Sequence, residues 1–243
     1  MTIYETLTAA IAAEQPIAVA TLVGGAEPIG AKLLARPNGE TLGSLGPGIP
    51  QPEIVRDMLA MLTRAESGIR AYATPAGDVQ VFVESYPPPP TMFIVGAVHI
   101  AIPLVTMAKT LGFRTIVVDA RGAFATPERF AHADELIMAW PDEALEGKLN
   151  SNSFVVLLTH DPKLDDPALK IALPSSARYV GALGSPKTHA KRLARLREEG
   201  VPEEQLARLH APIGLKIGAD TPEEIAVSII AEVVAARHGL TGK

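Results

Sequence analysis

The chain has 243 residues, 47% apolar and 20% charged, an ordinary globular balance with length for one large or two modest domains. A net charge of −5 gives no electrostatic footprint for nucleic acid, and no apolar run approaches the ~18–20 residues of a membrane span. Without cysteine, the chain has no disulfide, thiolate metal ligand, thiol nucleophile or persulfide, so its chemistry rests on oxygen and nitrogen groups or on a partner.

The first residues, Met1-Thr-Ile-Tyr-Glu-Thr-Leu7, lack the basic and apolar regions of a secretory signal, and a cytoplasmic location is expected. Residues 2–13 carry apolar positions at helical spacing (Ile3, Leu7, Ala10, Ile11). Ile17 to Val23 and Gly30 to Leu34 read as strands separated by a Gly24-Gly25 turn. A Gly- and Pro-rich loop from Gly43 to Pro52 leads to an amphipathic pattern from Glu53 to Glu66 (Ile54, Val55, Met58, Leu59, Leu62), which predicts a helix. Ile69 to Ala73 and Val79 to Glu84 predict two more strands, so residues 1–84 are expected to form a small α+β domain. Ser85-Tyr-Pro-Pro-Pro-Pro90 cannot continue a hydrogen-bonded ladder and favours extended polyproline geometry, which makes 85–90 a stiff linker.

Beyond it the pattern alternates. Strands are expected at 92–95, 114–118, 135–138, 153–158 and 179–183, and helices at 99–111, 164–173, 187–199 and 221–238, with a weak helical turn near 142–147. This predicts an α/β domain over 91–243, a Rossmann-like doubly wound parallel sheet covered on both faces. Ligands of such sheets bind beyond the carboxyl ends of the strands, where the strand order reverses.

Four strand ends are polar enough to matter. In Gly96-Ala-Val-His-Ile-Ala101 a strand runs through a glycine turn into a helix, which suits a phosphate. The dinucleotide fingerprint needs a second glycine where Val98 stands, so the hydride-transfer signal is damaged. His99 sits in the expected crevice, near a helix start that favours the neutral imidazole. Asp119 ends the next strand, as an acid that binds ribose hydroxyls does, and Arg121 nearby suits a phosphate; the alternative is a surface ion pair. Thr159, His160 and Asp161 close an apolar strand, with ligand contact and helix capping both open. Asp165 and Asp166 follow, without regular spacing for a hard cation, and no metal is expected. Finally, Tyr179-Val-Gly-Ala-Leu-Gly-Ser-Pro-Lys187 holds Gly181, Gly184, Ser185 and Lys187, which read equally as a helix start and as a second anion cradle. Thr221 with Glu224 predicts a capping box.

Taken in order, Phe93-Ile-Val-Gly-Ala-Val-His-Ile-Ala101, Val118-Asp-Ala-Arg121, Thr159-His-Asp161, Tyr179-Val-Gly-Ala-Leu-Gly-Ser185 and Pro212-Ile-Gly-Leu-Lys-Ile-Gly-Ala-Asp-Thr-Pro-Glu-Glu-Ile-Ala226 resemble the XdhC/CoxI family, the xanthine dehydrogenase accessory factors. Glu27-Pro-Ile-Gly-Ala-Lys-Leu-Leu34 and Gly43-Ser-Leu-Gly46 are similar to the family's N-terminal domain. The resemblance implies a non-catalytic chaperone that binds the molybdenum cofactor, as molybdopterin or its cytidine dinucleotide, and supports its sulfuration and insertion into a molybdenum hydroxylase. It implies a hydroxylase apoenzyme as partner, a separate sulfurtransferase because this chain lacks cysteine, and a homodimer. Cofactor contacts would fall on Gly96, Val98, His99, Asp119, Arg121, Thr159, His160, Asp161, Gly181, Gly184 and Ser185. The family's first turn is normally Gly-Ala-Gly-His, and its N-terminal domain normally carries Gly-Gly-Cys-hydrophobic-Glu, where this chain has Gly46-Pro-Gly-Ile-Pro-Gln-Pro-Glu53. Two other readings stay open: an NAD(P)-dependent oxidoreductase, and a diverged interaction protein without a ligand.

Overall fold

The computed structural model describes residues 2–240. Met1 and residues 241–243, at the outer ends of the two expected domains, lie outside the described residues. The chain divides into two compact units, the first ending at Pro88 and the second beginning at Pro89.

In the first unit, helix α1 (Ile3–Ala12) opens with a capping box in which Thr2 and Glu5 each accept the other's backbone N–H. Strands β1 (Ile17–Gly24), β2 (Lys32–Ala35) and β3 (Thr41–Gly43) precede helix α2 (Gln51–Arg64), and β4 (Gly68–Tyr72) and β5 (Val79–Tyr86) follow it. The sheet is antiparallel in the order β3-β2-β1-β5-β4. The two-residue alternation of β1 sends Ala18, Ala20 and Leu22 to the α2 side, with Ile54 and Met58. Ile17 and Val19 go to the α1 side, with Ala10. Strand β3 was not expected, because its last residue, Gly43, already reads as the start of the Gly- and Pro-rich loop. The linker also starts later than its sequence implies: Ser85 pairs with Ala18 and Tyr86 with Ile17, so both are still in the sheet.

The second unit contains β6 (Thr91–Val95), α3 (Ala101–Thr110), β7 (Arg114–Val118), β8 (Glu135–Ile137), α4 (Pro141–Leu145), β9 (Ser153–Leu157), α5 (Pro162–Ala172), β10 (Tyr179–Ala182), α6 (Pro186–Glu198), α7 (Glu203–Leu206), β11 (Leu209–His210) and α8 (Pro222–Arg237). Every strand pairing is parallel, in the order β11-β10-β9-β6-β7-β8. The expected doubly wound α/β sheet is therefore present, with a sixth strand, β11, whose two residues carry no sequence signal. Both faces are buried, which explains the nearly continuous apolar runs. Met92 and Ile94 of β6 pack with α3 and α8, whereas Phe93 and Val95 pack with α4, α5 and α6. The order reverses between β6 and β9, which places the crevice beyond Val95 and Leu157.

Candidate functional site

The Gly96 turn is built for close approach. Gly96 has φ +110°, and a Cβ there would lie 2.7 Å from Cγ2 of Thr159. Only glycine therefore lets the ends of β6 and β9 meet at the switch point. The Gly96 N–H donates to Val118 O (2.8 Å) and the Ala97 N–H to Asp119 Oδ2 (2.8 Å). The N–H groups of Val98, His99 and Ile100, which precede α3, have no acceptor among the described residues, as expected where a helix begins. His99 is exposed beside them. Val98 is partly buried and packs on the core cluster of α3 and α8.

Asp119 is a support for this turn. It is 1% exposed, and its four lone-pair sites are filled. Oδ1 accepts the backbone N–H of Arg121 (2.9 Å) and its Nε (2.9 Å), while Oδ2 accepts Ala97 N–H and Arg121 Nη2 (2.8 Å). Burial opposes its charge, but the bonds from Arg121 and Ala97 outweigh it and hold the carboxyl below its usual range. No acceptor site is left for a ribose hydroxyl. Arg121, folded onto Asp119 and stacked over Phe124, remains about a third exposed near the charges of Asp161 and Asp165.

At the end of β9 the three polar residues separate in role. Thr159 is buried and donates its hydroxyl to Asp165. Asp161 caps α5 by accepting the Lys163 N–H (3.0 Å). His160 is exposed and lines a cavity of about 240 Å³ together with Asp165, Lys187, Thr188, Lys191, Arg192 and Arg195. Ser185 caps α6 by accepting the Thr188 N–H (3.1 Å), with Pro186 in the first turn. The cavity runs along α6, from Lys187 in its first turn to Arg195.

Asp165 holds this region together: its second oxygen accepts Arg192 Nη2 (2.8 Å), and both residues are buried. Burial pushes the Asp165 carboxyl up, against the bonds from Thr159 and Arg192 that favour its charge. Asp166 takes Arg195 in a two-point bridge (2.7 and 3.0 Å). Among the described residues, no group of three or more His, Asp or Glu side chains is placed to hold a metal ion.

Gly181 lies within β10 and not in the turn. A Cβ there would meet Ile213 Cδ1 and the Tyr179 hydroxyl, each at 2.6 Å, so this glycine makes room for packing. Next to it, buried Glu232 accepts from the Tyr179 hydroxyl (2.6 Å), Gly214 N–H (2.6 Å) and His210 Nδ1 (3.1 Å), pinning α8 to β10 and β11. Arg192, Lys191 and Glu232 were not expected from the sequence. The signal for the first two was present: Lys187, Lys191 and Arg192, with Thr188 and Arg195, recur at three- and four-residue intervals directly after the Gly184 turn.

Two halves wound in opposite directions from β6 and β9, all in parallel, define a Rossmann-like α/β domain with its crevice at the switch point. The chain belongs to the XdhC/CoxI family: residues 92–233 match the XdhC Rossmann domain and residues 10–73 match the XdhC and CoxI family. It is 30% identical over 93% of its length to the uncharacterized protein YqeB of Escherichia coli, covering 44% of that protein. It is 35% identical over 65% of its length to a probable xanthine dehydrogenase subunit from Bacillus subtilis, covering 46% of it. It is also 36% identical over 37% of its length to the molybdenum cofactor insertion chaperone PaoD of Escherichia coli, covering 28%. The chain thus spans less than half the length of each of these relatives. A crystal structure from Bacillus halodurans, described as a xanthine dehydrogenase, has the same fold, with a TM-score of 0.56, 22% identity and coverage of 98% of this chain and 96% of that one.

Proposed function

We propose that this chain is a maturation factor for a molybdenum hydroxylase, which binds the molybdenum cofactor and supports its sulfuration and insertion into a xanthine dehydrogenase or CO dehydrogenase type apoenzyme. The observation that carries this is a switch-point crevice edged by open N–H groups and cations, in a family that includes a chaperone named for molybdenum cofactor insertion. A pterin with a phosphate or nucleotide tail matches such a lining, and the Val98, His99 and Ile100 N–H groups with Arg121 and Lys187 would face its acidic parts. When bound, the cofactor supplies the molybdenum chemistry; this chain's residues bind, orient and shield it. Having no cysteine, the chain carries no persulfide, so the sulfur would come from a separate sulfurtransferase. Homodimerisation, a cytoplasmic location and two domains joined at the proline run 87–90 belong to the same proposal. None of the described helices is long and apolar enough to cross a membrane.

The hydride-transfer alternative is disfavoured by Asp119, whose filled oxygens leave nothing for a nicotinamide cofactor's ribose. The test is anaerobic purification followed by oxidation and mass spectrometry of the small molecules released. A pterin phosphate at a substantial fraction of one per chain supports the proposal. Its absence, both from the purified protein and after incubation with intact reduced cofactor, counts against it.

A further inference from the structure

Arg192 presents an unusual deficit. The residue is 1% exposed, yet its Nε and Nη1 have no hydrogen-bond partner. Only Nη2 is engaged, by Asp165 Oδ2 (2.8 Å) and Leu183 O (3.0 Å). Buried N–H groups without acceptors are costly and rare, and each calls for an explanation. Arg192 forms part of the wall of the 240 Å³ cavity. That volume is far above the ~10–15 Å³ that one water needs and below the ~300 Å³ where pockets for whole drug-sized ligands begin. The cavity therefore fits a small oxyanion or the charged end of a larger ligand.

The rest of the wall agrees. Lys187 and Lys191 stand one helical turn apart on α6 and have no ion pair among the described residues. Thr188, from the first turn of α6, adds a hydroxyl. Gly184, at φ +144°, keeps the approach open: a Cβ there would press on Thr188 at 3.1 Å and stand 3.9 Å from Arg192 Nη1. One carboxylate, Asp165, faces the cavity, and its oxygens are taken by Thr159 and Arg192. Arg195 is already paired with Asp166.

We propose that this cavity is an oxyanion site that takes a phosphate dianion, held by Arg192 from within and by Lys187 and Lys191 at the mouth. The site stands on its own geometry; the identity of the phosphate's carrier, a pterin, rests on the maturation reading. The cavity is too small for a pterin ring system and its tail together, so the phosphate enters and the rings lie outside, toward the crevice at β6 and β9.

The experiment uses the full chain and inorganic phosphate, titrated by calorimetry against chloride at matched ionic strength. Saturable binding is expected. The double variant Lys187→Gln/Lys191→Gln, which changes only exposed side chains, should bind at least about tenfold more weakly while its melting temperature in chloride stays unchanged. Arg192→Met should abolish binding if it folds, and the double variant decides the matter if it does not. No saturable binding to the parent protein, or equal binding by parent and double variant, overturns the proposal. Two further arms identify the carrier. A phosphorylated pterin that binds more tightly than phosphate, with its dephosphorylated form unable to compete, assigns a pterin phosphate; equal affinities assign free phosphate. Retention of molybdenum cofactor is measured separately, so the site and the maturation reading can fail independently.

Discussion

Replacing Asp119 by Asn tests whether the glycine turn is held by this carboxylate. The carboxylate takes two donors on each oxygen, and the substitution turns one oxygen into an NH₂ that must face two of them. In one orientation the Arg121 backbone N–H and Nε lose their acceptor; in the other, the Ala97 N–H and Arg121 Nη2 do. The guanidinium is about a third exposed and can turn to water, but the backbone N–H cannot. A lost bond to a charged acceptor is worth about 1.5–3 kcal/mol, so Asp119→Asn should cost about 2–3 kcal/mol. Removing the carboxylate altogether in Asp119→Ala takes the acceptor from both backbone N–H groups, Ala97 and Arg121, while the guanidinium turns to water, and should cost about 3–6 kcal/mol at about 1.5–3 kcal/mol for each. The assay is urea unfolding at pH 7, with amide hydrogen exchange at Ala97 and Arg121 as the local readout. A loss below about 1 kcal/mol with unchanged exchange at both amides would refute the assignment of Asp119 as the anchor of the turn.

Other expectations follow from the same contacts. Gly181→Ala forces a methyl against Ile213 and the Tyr179 hydroxyl, and thermal unfolding should report a loss of about 1–3 kcal/mol. Asp119, Asp134 and Glu232 are each pushed up by burial but held lower overall by their hydrogen-bond donors. Their contribution is complete above the unfolded carboxyl range near pH ~4 and lost as pH falls through the lowered folded values. A melting temperature that falls steeply below about pH 4 is therefore expected; Asp165, pushed up, acts in the opposite sense, and a flat profile down to about pH 2 would contradict the assignments. Val98→Gly should not create affinity for NADH, since Val98 packs on the core and Asp119 stays engaged; a micromolar Kd by fluorescence titration would contradict this.

Much of the fold was legible because buried parallel strands leave an unmistakable pattern. Apolar runs such as Phe154 to Leu158, each closed by polar or glycine residues, marked both the strands and their ends. Helix starts were equally readable where their chemistry is local: Ser185 with Pro186, and Thr221 with Glu224, cap as their sequence dictates. What escaped was nonlocal. Strands β3 and β11 are set by pairing with their neighbours, β2 and β10, and their own residues do not mark them. At the candidate site, the sequence located the correct strand ends but not how each side chain is spent. Asp119, Asp161 and Gly181 are engaged by backbone and packing, and the charge that remains free comes from α6, where a basic helix reads as a solvated face until Arg192 is seen buried.

Cofactor binding by this chain is tested most directly by anaerobic titration of the full chain with intact, reduced molybdenum cofactor, followed by equilibrium dialysis and pterin quantification. Saturable binding that approaches one cofactor per chain is expected, weakened in Lys187→Gln/Lys191→Gln. No binding above a serum albumin control would contradict a maturation role.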